Sequence, residues 1–138
     1  MKSCAFMLEG TVPSKKNQRR TFYKYGRVIN IPSKQYEDWH KDALAQLEVL
    51  GVKKMNPPYK VHLSFWMKDK HRKDMDNSAQ SVLELLQDAE VIEDDDCKLL
   101  QEVHLYYKGT SKDAPRVKVQ IDSEIDKPGD YVILTNAG

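Results

Sequence analysis

The sequence predicts an α+β domain in which a mixed or antiparallel sheet is covered by two main helices. Residues 59–68 alternate between apolar and polar side chains, as a half-buried strand does. Residues 33–51 place apolar side chains three and four positions apart, which is typical of an amphipathic helix. Further strand-like segments lie before and after these two, so the predicted order is strand, hairpin, helix, strand, helix, strand, strand.

The length and composition are those of one globular domain. The chain has 138 residues, of which 40% are hydrophobic and 31% charged, and a chain of this length buries a core without disulfides. The apolar runs are too short to cross a membrane, and the first residues lack the apolar stretch of a secretory signal. We therefore expect a cytoplasmic protein with no membrane association, in which Cys4 and Cys97 stay reduced.

The first part of the chain predicts a strand followed by a basic hairpin. A segment of mixed apolar and polar residues from Cys4 to Val12 stops at Pro13, which suits a strand ending in a turn. A run of lysines and arginines follows. Aromatic and β-branched residues around Gly26 then predict a short hairpin over residues 21–29.

The first helix and the strand after it have the clearest signals. Ser33 is placed to cap the start of the helix and Gly51 to end it. The apolar positions of the helix are Tyr36, Trp39 or His40, Ala43, Leu44, Leu47 and Leu50. In the strand, the alternation predicts one face with Val61, Leu63, Phe65 and Met67, and the other with His62, Ser64, Trp66 and Lys68.

The second half predicts one helix and two strands. Asn77 is an N-cap candidate with Gln80 three residues later, and the apolar stripe continues to about Ala89. Residues 99–107 and 116–121 alternate and are separated by a turn-rich segment, so they predict an antiparallel pair. We expect one domain over residues 1–121 and a C-terminal extension over residues 122–138, whose placement the pattern does not decide.

The charges are strongly segregated along the chain. Residues 1–36 carry eight lysines and arginines against one glutamate, whereas residues 84–102 carry eight acidic residues against one lysine. A basic arm suits a polyanion and a dense carboxylate cluster suits a divalent cation. Together they indicate a metal-dependent enzyme that acts on nucleic acid, although the two regions could also simply neutralise each other in the fold.

Asp74 and Asp76 form the most informative motif, where the alternating strand ends and the second helix begins. Side chains two apart in extended backbone point the same way, so the two carboxylates predict a site for a hard cation. A third oxygen ligand is normally needed. We expect the chain to turn back after the helix and bring the acidic residues 93–96 beside the end of the strand.

Two other kinds of metal site are excluded, and a purely structural role is the alternative. An EF-hand loop starting at Asp74 would need a glycine and an acidic residue where the chain has Ala79 and Leu85. The cysteines and histidines lack the close pairs of structural zinc sites. In the structural alternative, Asp76 and Asn77 only cap a helix and residues 93–96 are a solvated turn.

Arg72 to Asn77, taken with the later pair Asp94 and Asp95, resembles the signature of the RusA family of Holliday junction resolvases. Asp76 and Asp95 are nineteen positions apart, the separation used by that family. Pro13 before a basic loop and the helix start at Ser33 also match in order. The resemblance extends over roughly residues 5–121.

The resemblance implies a Mg²⁺-dependent endodeoxyribonuclease, bacterial or phage-encoded, that resolves four-way DNA junctions in recombination and repair. It implies that Asp74, Asp76 and Asp95 are the catalytic, Mg²⁺-binding triad and that Lys73 acts near the scissile phosphate. One position departs from the pattern. Gln80 stands where the family usually has a lysine early in the second helix.

DNA binding is expected mainly from the basic arm. The aromatic residues of the hairpin can stack on bases or pack against the core. The predicted phosphate contacts are Lys15, Lys16, Arg19, Arg20, Lys24 and Arg72.

Junction resolution needs two symmetric nicks, so we expect a C₂ homodimer bound to branched DNA. The predicted interface is an exposed edge of the first strand or the first helix with Trp39. Two other functions stay open: a nuclease of the same fold that cuts flaps or other branched DNA, and a non-catalytic nucleic-acid-binding module, which Gln80 favours.

Overall fold

The computed structural model describes residues 2–14, 19–24, 26–69, 75–94 and 96–125, and for residues 19–24 and 28–32 it describes the backbone alone. The elements are β1 (Lys2–Glu9), β2 (Arg19–Lys24), β3 (Arg27–Pro32), α1 (Lys34–Leu50), β4 (Tyr59–Met67), α2 (Met75–Asp88), β5 (Leu100–Thr110) and β6 (Arg116–Ser123).

A four-stranded mixed sheet forms the centre of the fold, with the strand order β1-β6-β4-β5. β6 is antiparallel to both β1 and β4, whereas β5 is parallel to β4. Parallel neighbours need a crossover, and α2 provides it between β4 and β5. The two helices pack on the sheet, so the predicted α+β class with a mixed sheet is confirmed.

The predicted antiparallel pair of β5 and β6 is wrong. Both strands exist close to the predicted bounds, but β4 lies between them and pairs with each. Residues 111–115 join two strands that are not neighbours in the sheet, and the rest of the turn-rich segment, residues 108–110, belongs to β5. Alternation and turn residues are local signals, so they predict a strand but not the strand that lies beside it.

The predicted faces of β4 are confirmed. Val61, Leu63 and Phe65 are buried in the core, while His62 and Ser64 on the other face are half-buried. Residues of both helices and of all four strands contribute to one apolar cluster. Because side chains alternate across a strand, both helices cover the same face of the sheet, and no helix of the described residues lies on the face of His62.

The predicted ends of α1 are confirmed. The Ser33 side chain accepts a hydrogen bond from the Tyr36 backbone N–H at 3.2 Å, and Gly51 ends the helix in the left-handed conformation with φ 69°. Trp39 is only 7% exposed and packs in the core. The prediction that Trp39 lies in an exposed subunit interface is therefore wrong.

α2 begins earlier than the sequence predicts. The helix starts at Met75, so Asn77 lies inside its first turn and is not the N-cap. Asn77, Ser78 and Ala79 are all buried. The apolar side of the first turn packs into the core, which extends the helix two residues beyond the capping signal.

β2 and β3 form the predicted hairpin as a separate two-stranded sheet, with Lys24 opposite Arg27 at the turn. β6 continues to Ser123 and Ile125 is buried, whereas residues 126–138 lie outside the described part of the chain. The division into a domain and a C-terminal extension stays a prediction. None of the described helices has the length and apolar character needed to cross a membrane.

Candidate active site

Asp76 presents an exposed carboxylate at the start of α2. Its Oδ1 accepts a hydrogen bond from the Asn77 backbone N–H at 3.0 Å, and the next three residues are buried. The helix dipole favours a negative charge at this end. A rigid, buried turn therefore holds an outward-facing carboxylate where β4 leads into α2. It does so on a helix, so the expectation that Asp76 belongs to extended backbone is wrong.

The loop after β1 is fastened to the same end of α2. The Ser81 hydroxyl donates a 2.7 Å hydrogen bond to the carbonyl of Pro13, and Pro13 is buried. The hydroxyls of Ser14 and Ser78 are also buried, and neither has a hydrogen-bond partner among the described residues. The loop that leads into the basic hairpin is thus placed beside the start of the crossover helix, where polar groups stay available.

Gln80 lies one helical turn after Asp76 and is exposed. Residues four apart on a helix are neighbours on one face, with Cβ atoms about 5–6 Å apart. A lysine at this position would stand beside the carboxylate. The departure from the family pattern therefore concerns the immediate surroundings of Asp76.

The second acidic motif is held at the other end of α2. Glu90 has φ 58° at the end of the helix, and the buried Val91 accepts a 2.8 Å hydrogen bond from the Met55 backbone N–H. The Glu93 backbone N–H then donates to the Tyr59 hydroxyl at 3.2 Å. Tyr59 is the first residue of β4, so the turn is fixed at the start of this strand.

The surroundings of Tyr59 reflect this contact. Burial raises the pKa of the Tyr59 hydroxyl, and the Glu93 carboxylate raises it further, although the hydrogen bond from the Glu93 backbone opposes the change. The hydroxyl therefore stays protonated and donates to the Met55 carbonyl at 2.8 Å. It joins the acidic turn to the segment that enters β4.

The described residues of the two acidic motifs lie at opposite ends of α2. Met75 follows Asp74 directly and lies at the start of α2, whereas Asp94 and Asp96 on either side of Asp95 follow its end. A helix of 14 residues is about 20 Å long. For Glu93, Asp94 and Asp96 the expected return to the end of β4 is wrong, because a parallel crossover carries the chain to the opposite end of the strands. Asp74 and Asp95 lie outside the described residues, so their meeting with Asp76 stays a prediction.

Two polar contacts between the helices were not predicted. The Tyr36 hydroxyl donates to Glu84 Oε2 at 2.6 Å, and His40 Nε2 lies 2.7 Å from Asp88 Oδ2. Both pairs repeat at a spacing of four residues. Polar residues four positions apart occur on both helices, and this shared spacing is the sequence signal that could have indicated a contact between α1 and α2. They align α2, and with it Asp76, against α1.

The other predicted site residues are not all described. Within the described part of the chain, no group of three or more His, Cys, Asp or Glu residues lies close enough together to hold a metal ion. The backbone of Arg19, Arg20 and Lys24 belongs to β2. Asp74, Asp95, Lys73, Lys15, Lys16 and Arg72 lie outside the described residues.

The chain matches the family model described as endodeoxyribonuclease RusA over residues 11–122. It belongs to the RusA family of Holliday junction resolvases, which confirms the resemblance found in the acidic motifs. The chain has no match among individual curated proteins. Nucleases of this family are generally metal-dependent and act on DNA.

Proposed function

We propose that the protein resolves four-way DNA junctions by paired, Mg²⁺-dependent nicks, with Asp74, Asp76 and Asp95 as the catalytic carboxylates. The observation that carries the proposal is the position of Asp76. Its exposed carboxylate stands on a turn whose following residues are buried, so its position is fixed by the core. Phosphodiester cleavage needs this kind of preorganised charge beside the reacting group.

The separation of the acidic motifs along α2 supports a homodimer. A cation cannot bridge carboxylates at opposite ends of a helix about 20 Å long. A second copy related by a two-fold axis can supply the acidic turn to the start of α2 and receive the same in return. Such a dimer has two equivalent sites, which matches the need for one nick in each of two strands.

The donor set suits magnesium in such a dimer. Aspartate oxygens are hard ligands, and Mg²⁺ takes few of them besides water and phosphate oxygens. When bound, Mg²⁺ would lower the pKa of a water molecule and stabilise negative charge on the scissile phosphate. Asp76 would orient the site from the helix, and Lys73 would hold the phosphate against it.

The basic hairpin would bind the arms of the junction. The backbones of Arg19, Arg20 and Lys24 lie on β2, which follows the loop fastened to α2 by Ser81. In the sequence, Lys15 and Lys16 lie between Pro13 and β2, and Arg72 comes two residues before Asp74. Contacts of this kind position DNA through its phosphates and weaken steeply with salt.

Mixed dimers test the shared site. Asp76→Asn and Asp95→Asn should each abolish nicking, whereas a heterodimer of the two, purified through different tags, should regain one intact site. That site takes Asp76 from one subunit and Asp95 from the other. We expect single-strand nicks in a four-way junction at about half the wild-type rate, without paired cleavage.

A matched heterodimer gives the control. In this control, one subunit carries Asp74→Asn and the other carries Asp76→Asn. Each of the two shared sites then lacks a carboxylate at the start of α2, so the heterodimer should stay inactive. If the Asp76 and Asp95 variants together also stay inactive while the heterodimer is folded and binds the junction, the shared site is wrong.

A non-catalytic DNA-binding role is the second candidate, and the exposed Gln80 favours it. Without a lysine beside Asp76, the site would lack a positive charge that stabilises the transition state. Incubation of a junction with Mg²⁺ and with EDTA separates the two functions. Nicks in Mg²⁺ alone support the nuclease, whereas equal binding and no nicks in either support the module.

A further inference from the structure

The face of the sheet opposite α1 and α2, on which no described helix packs, is called the open face and is divided into an acidic and a basic end. The acidic end lies at the start of β4. There Glu102 pairs with Lys60 at 3.2 Å and with His104 at 3.1 Å. Asp122 lies 3.5 Å from His62 and accepts a 2.7 Å hydrogen bond from Ser3. The carboxylates of this end are therefore already paired.

The basic end lies where β4 finishes and consists of Lys108, Arg116 and Lys118. Trp66 is the register partner of Arg116, and Ser64 that of Lys118. The guanidinium of Arg116 stacks over the Trp66 ring at 4.4 Å. None of the three cations forms an ion pair with a carboxylate of the described residues. Three positive charges thus stand together on a surface that no described helix covers.

A row of rings leads from the acidic end into the basic end. The rings of His62 and His104 stack with centroids 4.8 Å apart, and Tyr106 continues the row at an angle of 12° to His62. Lys108 Nζ lies 5.6 Å from the centroid of the Tyr106 ring, which is exposed. Flat rings beside ammonium groups suit a nucleotide, because bases or sugars stack on rings while phosphates meet cations.

A concavity occurs at the same place. Its volume is about 240 Å³ and its polar lining combines hydroxyl, amide, imidazole and ammonium groups. The lining residues are His62, Ser64, Tyr106, Lys108, Lys118 and Gln120.

We propose that the basic end of the open face binds the sugar–phosphate backbone of a DNA arm other than the arm being cut. The proposal rests on the proposed function, since it concerns the same branched substrate. Lys108 and Lys118 bind phosphates, Arg116 is held in place by Trp66, and Tyr106 stacks on an adjacent nucleotide. Charge favours DNA over a second copy, because a two-fold axis through this surface would bring like charges together.

The position of the basic end explains why a branched substrate is needed. β4 ends at Met67 and α2 begins at Met75, so the basic end and Asp76 lie at the same end of the sheet. They lie on opposite faces, since α2 packs on the face of Val61. A straight duplex cannot follow both faces, whereas a junction can place one arm on each.

A double substitution, Lys108→Ala with Lys118→Ala, tests the proposal by DNA binding in EDTA, where no cleavage occurs. Losing two phosphate contacts should weaken binding to a four-way junction roughly tenfold and reduce the slope of log Kd against log salt by about 2. Binding to a linear duplex should change much less. The matched control is Lys53→Ala with Lys54→Ala, which removes the same charge from exposed residues elsewhere and should leave junction binding near wild type.

Three results would overturn the proposal. Junction binding of the double variant could stay unchanged. Its affinity could fall equally for the junction and for the linear duplex. Its junction binding could also fall because the substitutions break a dimer into monomers, which sedimentation would detect. The last result would make the basic end a subunit interface. These measurements do not use cleavage, so they separate this proposal from the proposed nuclease activity. If the wild-type protein nicks junctions while the double variant binds them with unchanged affinity, only the DNA-binding role of the basic end is wrong.

Substitutions of Tyr106 test the proposed stacking independently of the two lysines. Tyr106→Phe keeps the ring but loses the 3.2 Å contact between the hydroxyl and His62 Nδ1, whereas Tyr106→Ala loses the ring. Stacking predicts a loss of roughly fivefold or more in junction affinity for the alanine variant and near wild-type affinity for the phenylalanine variant. Equal affinities for both would exclude stacking.

Discussion

The two ends of α2 differ in what they hold in place. The start is anchored in the core by Asn77, Ser78 and Ala79 and leaves the Asp76 carboxylate exposed. The end has buried Val91 and Ile92, followed by an acidic turn that Tyr59 holds through the backbone of Glu93. One end thus fixes a side chain and the other fixes a stretch of backbone. The described acidic residues of the two motifs therefore lie at opposite ends of one helix.

Asp76→Asn should have the largest effect, because it removes a charge from the end that fixes a side chain. We expect junction nicking to fall by at least about 100-fold, while the amide can still accept the hydrogen bond from Asn77, so the helix start stays folded. Rates of nicking in Mg²⁺, with circular dichroism and junction binding alongside, measure this.

Asp113→Asn is the matched control for this loss, since it removes one exposed carboxylate from the turn between β5 and β6. It should leave nicking within twofold. Full activity of the Asp76 variant would show that the exposed carboxylate only shapes the helix terminus.

Gln80→Lys tests the start of α2 by adding a positive charge near Asp76 instead of removing a negative one. The new ammonium would lie one turn after Asp76 on the same face and near a phosphate bound there. We expect nicking to rise roughly fivefold in low salt, with Gln80→Met as the uncharged control. A rate that does not rise, in a variant that binds the junction as well as wild type does, would mean that the departure from the family pattern costs no activity.

Tyr59→Phe tests the end that fixes backbone. The substitution removes the hydroxyl shared by Met55 and Glu93 and should lower the free energy of unfolding by about 1 kcal/mol. Hydrogen exchange should speed up at the Glu93 amide but not at Asn77. Nicking should fall a few-fold, since the acidic turn loses its fixed position.

Tyr107→Phe is the control, because Tyr107 is 57% exposed at the outer strand β5. Its unfolding free energy should stay within about 0.5 kcal/mol of wild type. Faster exchange at Asn77 in the Tyr59 variant would show that the two ends of α2 are not independent.

The sequence predicted those parts of the fold that depend on neighbours in the chain. Ser33 and Gly51 bound α1 as expected because capping is decided within one turn. Alternation predicted the faces of β4 for the same reason. The position of β5 beside β4 depends on a partner far along the chain, and a turn-rich connection to β6 indicated the wrong neighbour.

That one error determined what could be foreseen of the site. Asp76 was found from its motif, whereas its place in the first turn of α2 was not foreseen, because the capping signal pointed to Asn77. The convergence with the acidic turn was inferred from a chain that turns back beside β4. A parallel β5 requires the opposite, because a crossover returns the chain to the start of the strands before the next one begins. The same local pattern therefore allows two different sites, and only the sheet order chooses between them.

We expect the smallest effect from a substitution of Asp122, which lies at the same end of the sheet as the acidic turn. Burial would raise its pKa, but hydrogen bonds from Ser3 and Gln120, together with His62 and Lys60, lower it below the ordinary value of 3.8. The folded state therefore favours the ionised carboxylate. Its contribution to stability is complete well above 3.8 and is lost as the pH falls through the lower pKa of the folded state.

Asp122→Asn should accordingly be less stable than wild type at neutral pH, and the gap should close as the pH falls from about 5 towards 2. Urea unfolding at several pH values measures the gap. The amide keeps an oxygen for Ser3 and Gln120, so the pH-dependent part reports the charge and not the hydrogen bonds. A gap that is constant with pH would mean that the charge of Asp122 does not stabilise this end of the sheet. The order of β1, β6 and β4 there would then rest on packing and hydrogen bonds.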